Sequence, residues 1–336
     1  MTIWWVLAAA ALASLLLTGA LRRYALGRSL MDIPNARSSH SVPTPRGGGV
    51  AIVVSFLVAL PVMSLLGVLP WMLCWALLGS GLCVAVVGFL DDHGHIAARW
   101  RLLAHFGAAF WALYCVGGLP SVELFGLTLQ LGVLGHIIAA LYLVWVLNLY
   151  NFMDGIDGIA SVEAISACLG AAILYWYLGR IELVIAPVLL AIAVAGFLFW
   201  NFPPARIFMG DAGSGFLGIS LGVLSLQAAW AAPEFLWSWL ILLGVFIVDA
   251  TWTLFRRLLR GDKVYEAHRS HAYQFASRRY GRHLPVTLAV AAINLFWLFP
   301  LAFLVGIDWI DGSVGLIIAY IPLLILAMKF KAGAAE

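Results

Sequence analysis

The stretch GVLGHIIAALYLVWVLNLYNFMDGIDG (residues 132–158) joins an apolar run to a series of polar residues at its end. Residues 132–149 come close to the ~20 apolar residues with which an α-helix crosses a hydrocarbon core of roughly 30 Å. Further stretches of the same character are 3–21, 47–67, 70–90, 102–119, 157–178, 182–200, 213–231, 236–256, 285–306 and 313–330. The sequence therefore predicts an all-α polytopic integral membrane protein with about eleven transmembrane helices, or ten as the alternative count.

The composition favours one membrane domain over residues 1–336. Hydrophobic residues make up 64% of the chain and charged residues 10%, against about 25% charged residues in soluble domains. The four cysteines fall in apolar spans without metal-ligand spacing, which is typical of small buried hydrophobic residues. Residues 119–131 are predicted to hold a small hairpin or surface element between two spans.

The positive charges predict the orientation in the membrane. Alternating the spans places eighteen of the nineteen Lys and Arg residues on one side, with Arg180 alone on the other. An excess of positive charge marks the cytoplasm, so the N-terminus is predicted to be periplasmic and the C-terminus cytoplasmic. The cytoplasmic loops are then 22–46, 91–101, 150–157, 201–212 and 257–284. Because topology explains the net charge of +3, it does not indicate binding to nucleic acid.

Acidic residues gather at the cytoplasmic ends of the spans. Asp91 and Asp92 end the third span, and two adjacent carboxylates repel each other unless a cation compensates them. Asn148, Asn151, Asp154 and Asp157 follow at steps of three, which keeps neighbouring members on one broad helix face. Oxygen ligands of this kind suit Mg²⁺ or Mn²⁺, which completes its coordination with substrate phosphates and water. An active-site cleft is therefore predicted on the cytoplasmic side.

The turn before the eighth span carries Asp211 within FMGDAGSGF (208–216). Asp211 is a candidate N-cap of the helix that follows. The glycine-rich turn equally offers free backbone N–H groups to a phosphate. On this segment alone both interpretations stay open.

Two basic loops supply candidates for phosphate contact. His268, Arg269 and His271 lie in the largest inner loop, and two His residues beside an Arg suit a pyrophosphate. The loop before the second span adds the secondary candidates Arg37, His40 and Arg46, ahead of the glycine run 47–49. Asp249 lies inside the ninth span, where an ion pair with Arg256 or Arg257, substrate orientation and catalysis all stay open.

As a set, four segments resemble the polyprenyl-phosphate N-acetylhexosamine-1-phosphate transferases. They are PTPRGGG (43–49), FLDD (89–92), NFMDGIDG (151–158) and FMGD (208–211), in family order. The resemblance extends over residues 37–271 and is greatest to the bacterial branch that initiates O-antigen and related polysaccharides. The peptidoglycan branch has three consecutive His residues in its last loop, where this chain has HRSH (268–271).

The resemblance implies transfer of a HexNAc-1-phosphate from a UDP-N-acetylhexosamine to undecaprenyl phosphate, with release of UMP. It implies a multi-pass protein of the bacterial inner membrane with membrane lipids as partners, and it allows a homodimer. By motif position, Asn151 and Asp211 hold Mg²⁺ or Mn²⁺. Asp91 and Asp92 lie beside the lipid phosphate, and Asp154 and Asp157 near the nucleotide. The substrate-binding candidates are Arg46, Asn148, His268, Arg269 and His271.

A lipid phosphate is mostly dianionic in the cytosol because its second pKa is near 6. We therefore expect it to attack the sugar-linked phosphorus directly, with Asp91 or Asp92 as orienter or late base. Two alternatives are a peptidoglycan-type phospho-MurNAc-pentapeptide transferase and, in another class, a transporter or lipid flippase. Transporters place ionisable groups near the bilayer midplane on broken helices, whereas the acidic groups here lie at span ends.

Overall fold

The computed structural model describes residues 2–28, 30–34, 39–40, 42–94, 96–263 and 268–335. Arg37, a secondary candidate for phosphate contact, lies outside the described residues. Helices dominate the described part of the chain, with two short antiparallel strand pairs. The predicted all-α architecture is confirmed in this sense.

The α-helices, in chain order, are α1 (Thr2–Gly27), α2 (Val50–Leu65), α3 (Trp71–His93), α4 (Ala98–Val116), α5 (Gly132–Met153), α6 (Ile159–Tyr177), α7 (Ile181–Asn201), α8 (Asp211–Ala229), α9 (Pro233–Leu242), α10 (Gly244–Leu259), α11 (Ala272–Tyr280), α12 (Leu284–Ile293), α13 (Phe299–Gly306) and α14 (Gly312–Lys329). A π-helical turn, Asn294–Leu298, makes α12 and α13 one continuous span. Strands β1 (Met31–Asp32) and β2 (Thr44–Pro45) form one pair, and β3 (Val122–Leu124) and β4 (Leu127–Leu129) the other.

Every predicted span coincides with a helix or a pair of helices, but not all are long and apolar enough to cross a membrane. In the described residues eight helices meet that condition, or nine if α9 and α10 count as one span. Helix α2 has 16 residues, or about 24 Å at 1.5 Å per residue. Helix α4 begins with Arg99 and Arg101, which lower its mean hydropathy. The count of eleven therefore stays a prediction, as does the orientation.

The predicted span 236–256 is wrong as a single straight helix. Helices α9 and α10 are bent by 72° at Leu243. A break inside a bundle is tolerated where neighbouring helices cover the freed backbone groups. The bend directs α10 toward the loop that precedes α11.

Helix α8 is the centre of the bundle, with 94% of its span buried inside the protein. Small residues allow its neighbours to approach closely. A Cβ at Gly218 would lie 2.7 Å from Cα of Leu147 on α5, and one at Gly88 on α3 would lie 2.5 Å from the backbone N of Ala212. Helices α3, α5 and α8 are therefore held backbone against backbone. The carboxyl ends of α3 and α5 meet the amino end of α8.

A polar pair lies inside the bundle between α6 and the π-helical turn. The Nδ2 of Asn294 donates to Oε2 of Glu163 at 2.6 Å, and both residues are buried. Buried polar groups in a membrane protein need such partners because no water is available to them. The pair fastens α6 to the span that contains α12 and α13.

The predicted hairpin in residues 119–131 is confirmed as β3 and β4. Its turn is held by the backbone N–H of Phe125 on Oγ of Ser313 at 3.1 Å and that of Gly126 on Oδ2 of Asp311 at 3.2 Å. The hairpin connects the carboxyl end of α4 to the amino end of α5. It therefore lies at the end of the bundle opposite Asn151.

Candidate active site

A polar cavity of about 380 Å³ opens where α3, α5 and α8 meet. Such a volume is typical of small-molecule sites. Its lining residues are Asp32, Ser39, His40, Arg46, Asp92, Asn151, Asp154, Gly155, Ile156, Asp157, Asn201, Phe208, Met209, Gly210, Asp211, Ser214, Gln274 and His283. The structure thus brings together seven of the predicted site residues, the secondary candidate His40 included, from four separate stretches of the chain.

Asp92 is anchored on the amino end of α8. Its carboxylate accepts the backbone N–H of Asp211 at 3.2 Å and that of Ala212 at 3.4 Å. A helix amino end carries free N–H groups and favours negative charge. Asp92 occupies these two amides, and Asp211 is the first helical residue, not the N-cap. The N-cap interpretation of Asp211 is therefore wrong, while phosphate contact at this turn stays a prediction.

Arg46 reaches Asp92 from the glycine-rich entry to α2. Its guanidinium donates to the backbone carbonyl of Asp92 and lies 4.0 Å from Oδ1. The backbone N–H groups of Gly48 and Gly49 donate to the carbonyls of Phe208 and Met209 at 2.9 and 2.8 Å. The glycine run therefore packs directly on the segment that precedes α8, which places Arg46 at the cavity.

Asp211 and Asn151 are hydrogen-bonded across the cavity wall. The Nδ2 of Asn151 donates to Oδ1 of Asp211 at 3.0 Å and to Oγ of Ser214 at 2.9 Å. Arg101 of α4 lies 3.7 Å from Oδ2 of Asp211. The predicted proximity of Asn151 and Asp211 is confirmed, while their role as metal ligands stays a prediction.

Asp91 points away from the cavity toward a narrow side cleft of about 40 Å³. Asn148 and Arg101 line this cleft, and Asn151 and Asp211 border both spaces. Asp91 pairs with the Arg101 guanidinium and accepts the backbone N–H of Ile96 at 2.8 Å. The two adjacent carboxylates are therefore compensated by different partners, Asp91 by Arg101 and Asp92 by the α8 amides.

Asp154 is the least compensated carboxylate of the cavity. Among the described residues, no side chain or backbone N–H donates to its oxygens. Burial, together with the neighbouring charges of Asp211, Asp92 and Asp157, raises the pKa of Asp154 well above its ordinary value. Desolvation and like charges both disfavour the ionised form. A cation in the cavity would relieve this repulsion.

Asp157 is paired with His283, which sequence reasoning missed. His283 Nδ1 lies 3.0 Å from Oδ1 of Asp157, and the backbone N–H of Ala205 donates to Oδ2 at 3.0 Å. Gln274 and Asn201 also line the cavity and were missed. A lone His before Leu-Pro and single amides at helix ends carry no spacing signal, so only tertiary contact reveals them.

The predicted pyrophosphate contacts His268, Arg269 and His271 do not line the cavity. His271 is buried, and its Nδ1 lies 3.3 Å from Oδ1 of Asp249. Burial and the nearby charges of His271 and Arg257 lower the pKa of His268 to about 3, so its imidazole is neutral near pH 7. The carbonyl of Arg269 accepts a hydrogen bond from Arg278 at 3.0 Å. Their contact with substrate stays a prediction.

Asp249 caps α11 instead of pairing with an arginine. It accepts the backbone N–H groups of Ala272 at 2.9 Å and Tyr273 at 3.1 Å, besides His271. Arg256 donates to the carbonyl of Ala332 at 2.8 Å, and Arg257 lies 3.5 Å from Asp262. The ion pair considered for Asp249 is therefore wrong. Asp249 fixes the start of α11, from which Gln274 reaches the cavity.

The donor set fits a divalent ion that is shared with a substrate. In the described part of the chain, no three His, Cys, Asp or Glu side chains converge into a complete metal cage. Mg²⁺, however, usually takes one or two carboxylates and completes its shell with water and phosphate oxygens. Oδ1 of Asn151 makes no hydrogen bond to any described residue, and the carboxylates of Asp154 and Asp211 share its cavity. These hard oxygen donors suit such an ion, and Oδ1 of Asn151 and the carboxylate of Asp154 have no hydrogen-bond partner among the described residues.

A bundle of apolar helices with clustered carboxylates at one end defines a polytopic membrane protein built to handle charged ligands. The sequence profile of glycosyl transferase family 4 matches residues 74–229, which carry most of the cavity. A probable undecaprenyl-phosphate N-acetylglucosaminyl 1-phosphate transferase from Bacillus subtilis strain 168 is 30% identical over 266 residues. The match covers 77% of this chain and 73% of that protein.

Two phospho-N-acetylmuramoyl-pentapeptide-transferases are also similar. The one from Streptococcus thermophilus strain CNRZ 1066 is 32% identical over 51% of this chain and 52% of its own length. The one from Chlamydia muridarum is 33% identical over 61% of this chain and 66% of its own length. The chain belongs to glycosyl transferase family 4, the family of polyprenyl-phosphate sugar-1-phosphate transferases. It is therefore an enzyme, a phosphotransferase for substituted phosphate groups, and the transporter alternative is set aside.

Proposed function

We propose that the enzyme transfers HexNAc-1-phosphate from a UDP-N-acetylhexosamine to undecaprenyl phosphate, giving undecaprenyl-diphosphate-HexNAc and UMP. The observation that carries the proposal is the cavity at the end of the bundle, where Asp92, Asn151, Asp154 and Asp211 meet Arg46. A charged nucleotide sugar and a lipid phosphate can meet only at such an edge, because one substrate is soluble and the other is anchored in the membrane. The similarity to the Bacillus undecaprenyl-phosphate N-acetylglucosaminyl 1-phosphate transferase supports this lipid acceptor and an N-acetylhexosamine donor.

Asn151 and Asp211 would hold Mg²⁺ or Mn²⁺, with Asp154 beside them. When bound, the ion supplies neutralisation of the diphosphate charge, which phosphoryl transfer needs more than covalent help. Arg46 and Arg101 add fixed positive charge on either side of the carboxylates. The protein groups thus position two anionic substrates that would otherwise repel each other.

In the proposed reaction an oxygen of the lipid phosphate attacks the sugar-linked phosphorus. The new P–O bond forms as the bond to the UMP phosphate oxygen breaks, and UMP leaves with the bonding electrons. Asp92 is poorly suited to attack in its place, because two α8 amides and Arg46 already engage its carboxylate and backbone. This geometry supports an orienting role for Asp92 and direct attack by the lipid phosphate.

The experiment is a UMP-release assay with purified enzyme, undecaprenyl phosphate and Mg²⁺. A panel of UDP-sugars that differ in the orientation of one hydroxyl identifies the sugar. Transfer of radiolabel from the accepted UDP-sugar into butanol-extractable lipid should match UMP release one to one. Absence of label in the lipid under conditions where the enzyme is folded would refute the proposal.

A covalent alternative is tested with the same reagents. Direct attack predicts no sugar-phosphoryl enzyme when undecaprenyl phosphate is left out. Trapping such a species, and showing that added lipid phosphate converts it to product at a competent rate, would overturn the direct mechanism. Replacing Asp92 by Asn provides the matched control, since the side chain keeps its size but cannot form an acyl phosphate.

We further propose that the cavity faces the cytoplasm of a bacterial inner membrane and that the product starts O-antigen or related surface polysaccharide synthesis. The positive charges on the cavity side support the orientation. A strain that lacks its own initiating transferase tests the pathway, because the gene should restore its polysaccharide.

A second candidate is the peptidoglycan-type reaction, which the similarity to the streptococcal and chlamydial phospho-N-acetylmuramoyl-pentapeptide-transferases supports. It requires UDP-MurNAc-pentapeptide as the donor. Including that donor in the UDP-sugar panel distinguishes the two, since the proposed reaction predicts turnover only with the simple N-acetylhexosamines.

A further inference from the structure

Asp157 lies in the wall between two adjacent cavities. The second cavity has a volume of about 440 Å³ and opens beside the first. The residues that line both cavities are Ser39, His40, Asp157, Phe208 and His283. The shape of the combined space therefore depends on how this wall is held.

The carboxylate of Asp157 is fixed by the protein, in contrast to that of Asp154. His283 lies against Oδ1 at 3.0 Å, and the backbone N–H of Ala205 donates to Oδ2 at 3.0 Å. Thr287 also donates to the backbone carbonyl of Asp157 at 2.8 Å. Asp157 is only 9% exposed, and both of its carboxylate oxygens already have protein partners. It is therefore better suited to a structural role in the wall than to binding an ion.

The imidazole of His283 faces an oxygen at each nitrogen. Nδ1 faces the Asp157 carboxylate at 3.0 Å, and Nε2 faces the carbonyl of Ser39 at 2.9 Å. Neither oxygen can donate a proton, so Nε2 donates to the Ser39 carbonyl, and Nδ1 donates to the Asp157 carboxylate when the ring is protonated. The backbone N–H of Asp157 also lies 3.3 Å from Nδ1. If the ring is neutral and Nδ1 accepts this N–H, the Nδ1 lone pair also faces the Asp157 carboxylate. This repulsion favours the protonated ring.

The pKa of His283 agrees with this geometry. Burial acts to lower it, but the hydrogen bond and charge of Asp157 and the carbonyl of Ser39 outweigh burial and raise it. One imidazole thereby joins three separate stretches of the chain: the loop at Ser39, the start of α6 and the start of α12. Next to Ser39, the ring of His40 packs edge-on against Phe208 at 4.8 Å.

We propose that His283 is a positioning residue of the transfer reaction, which fixes Asp157 and fastens the Ser39–His40 stretch as a wall of the nucleotide-sugar site. The inference rests on the proposed function for the identity of the substrate, but the fastening itself does not. Removing both donors releases the loop and frees the Asp157 carboxylate. The site then binds the nucleotide sugar less well, although the residues beside the reacting phosphates are unchanged.

The kinetic experiment compares His283→Leu with His283→Asn in the full-length enzyme. His283→Leu keeps most of the volume and loses both donors. It should lower kcat/KM for the UDP-sugar by on the order of 10- to 100-fold, as expected for loss of a hydrogen bond to a charged group. The loss should appear mainly in KM for the UDP-sugar, with KM for undecaprenyl phosphate unchanged. His283→Asn keeps one side-chain N–H donor for Asp157 and should recover part of the loss.

His136→Leu is the matched control, since His136 is exposed and hydrogen-bonded to Gly132 at the opposite end of α5. It should leave kcat and both KM values unchanged. A merely structural role for His283 would instead lower the melting temperature and the yield, with normal kinetics for the folded fraction. That result would overturn the proposal.

A second measurement does not depend on turnover. The hydroxyl of Ser39 is buried in the wall, so a Ser39→Cys thiol should react slowly with a membrane-impermeant maleimide. Combining Ser39→Cys with His283→Leu should raise the rate of modification at least tenfold. The rate measured for the chain without Ser39→Cys is subtracted, because it reports modification of the native cysteines. Equal rates in the two backgrounds would refute the fastening. If the wild-type enzyme transfers no sugar phosphate at all, the proposed function fails while the labelling still decides the fastening.

Discussion

Replacing Gly88 of α3 by alanine should disable the site although no charged residue is replaced. The new Cβ would lie 2.5 Å from the backbone N of Ala212 and 2.6 Å from the carbonyl of Asp211. Ordinary contact begins at 3.4 Å, so α3 and α8 must separate by about 0.9 Å, the difference between 3.4 and 2.5 Å. Backbone atoms cannot rotate away as a flexible side chain would, so the helices themselves must move.

That separation acts directly on Asp92. Its bonds to the N–H groups of Asp211 and Ala212 are already 3.2 and 3.4 Å long, and a further shift of this size takes both beyond hydrogen-bond distance. A misplacement of about 1 Å can cost on the order of 100-fold in rate. Overpacking of this kind also lowers the free energy of unfolding by roughly 1–3 kcal/mol. We therefore expect Gly88→Ala to remain folded with kcat reduced about 100-fold.

The assay is UMP release per folded enzyme, with folding followed by thermal unfolding. Gly107→Ala is the control, because it is the same substitution in helix α4 and its Cβ would meet nothing within 4 Å. Normal turnover by Gly88→Ala would show that the Asp92–α8 contact does not position the reacting groups. Equal losses in both variants would point to a general effect of alanine in these helices.

Three further predictions concern metal, pH and the bundle interior. Asp211→Ala should abolish UMP release while the protein stays folded and inserted, and it should abolish the rise in melting temperature that we expect Mg²⁺ with UDP to cause in the wild type; near-normal turnover would mean that the metal assignment is wrong. Because folding raises the pKa of His283 above 6.5, its contribution to stability is fully present below pH 6.5 and is lost as the pH rises through the folded value. The difference in the free energy of unfolding between wild type and His283→Asn should therefore become smaller as the pH rises. A difference that grows with pH would contradict a raised pKa of His283. Glu163→Ala should lower the free energy of unfolding by about 1–3 kcal/mol, because the buried amide of Asn294 loses its acceptor. Glu163→Gln keeps an acceptor oxygen, so thermal unfolding should show a smaller loss of stability.

Most of the helices were predictable from the sequence because they are apolar runs close to membrane length, whereas α11, a short helix inside the predicted loop 257–284, was not. The bend at Leu243 was not, since the run 236–256 contains no proline and its hydropathy is continuous. The break depends on tertiary contacts of the surrounding helices, which a hydropathy pattern does not record.

The acidic half of the site was predictable for a similar reason. Asp92, Asn151, Asp154 and Asp211 stand at span ends, and alternation of the spans brings those ends to one side. The basic half was only partly predictable. Arg46 reaches the cavity as expected, but His268 and His271 turn into the protein, because Asp249 caps α11 and draws His271 inward. His283 takes a place at the cavity that its sequence neighbours do not reveal.

The β3–β4 hairpin allows the two ends of the molecule to be distinguished by experiment. Its turn at Phe125 and Gly126 is exposed and contacts Asp311 and Ser313 at the start of α14, at the opposite end of α5 from Asn151. A short epitope inserted between these two residues would leave the carboxylate cluster undisturbed. An antibody added to intact spheroplasts would then report which leaflet carries the hairpin, and by subtraction which compartment supplies the nucleotide sugar.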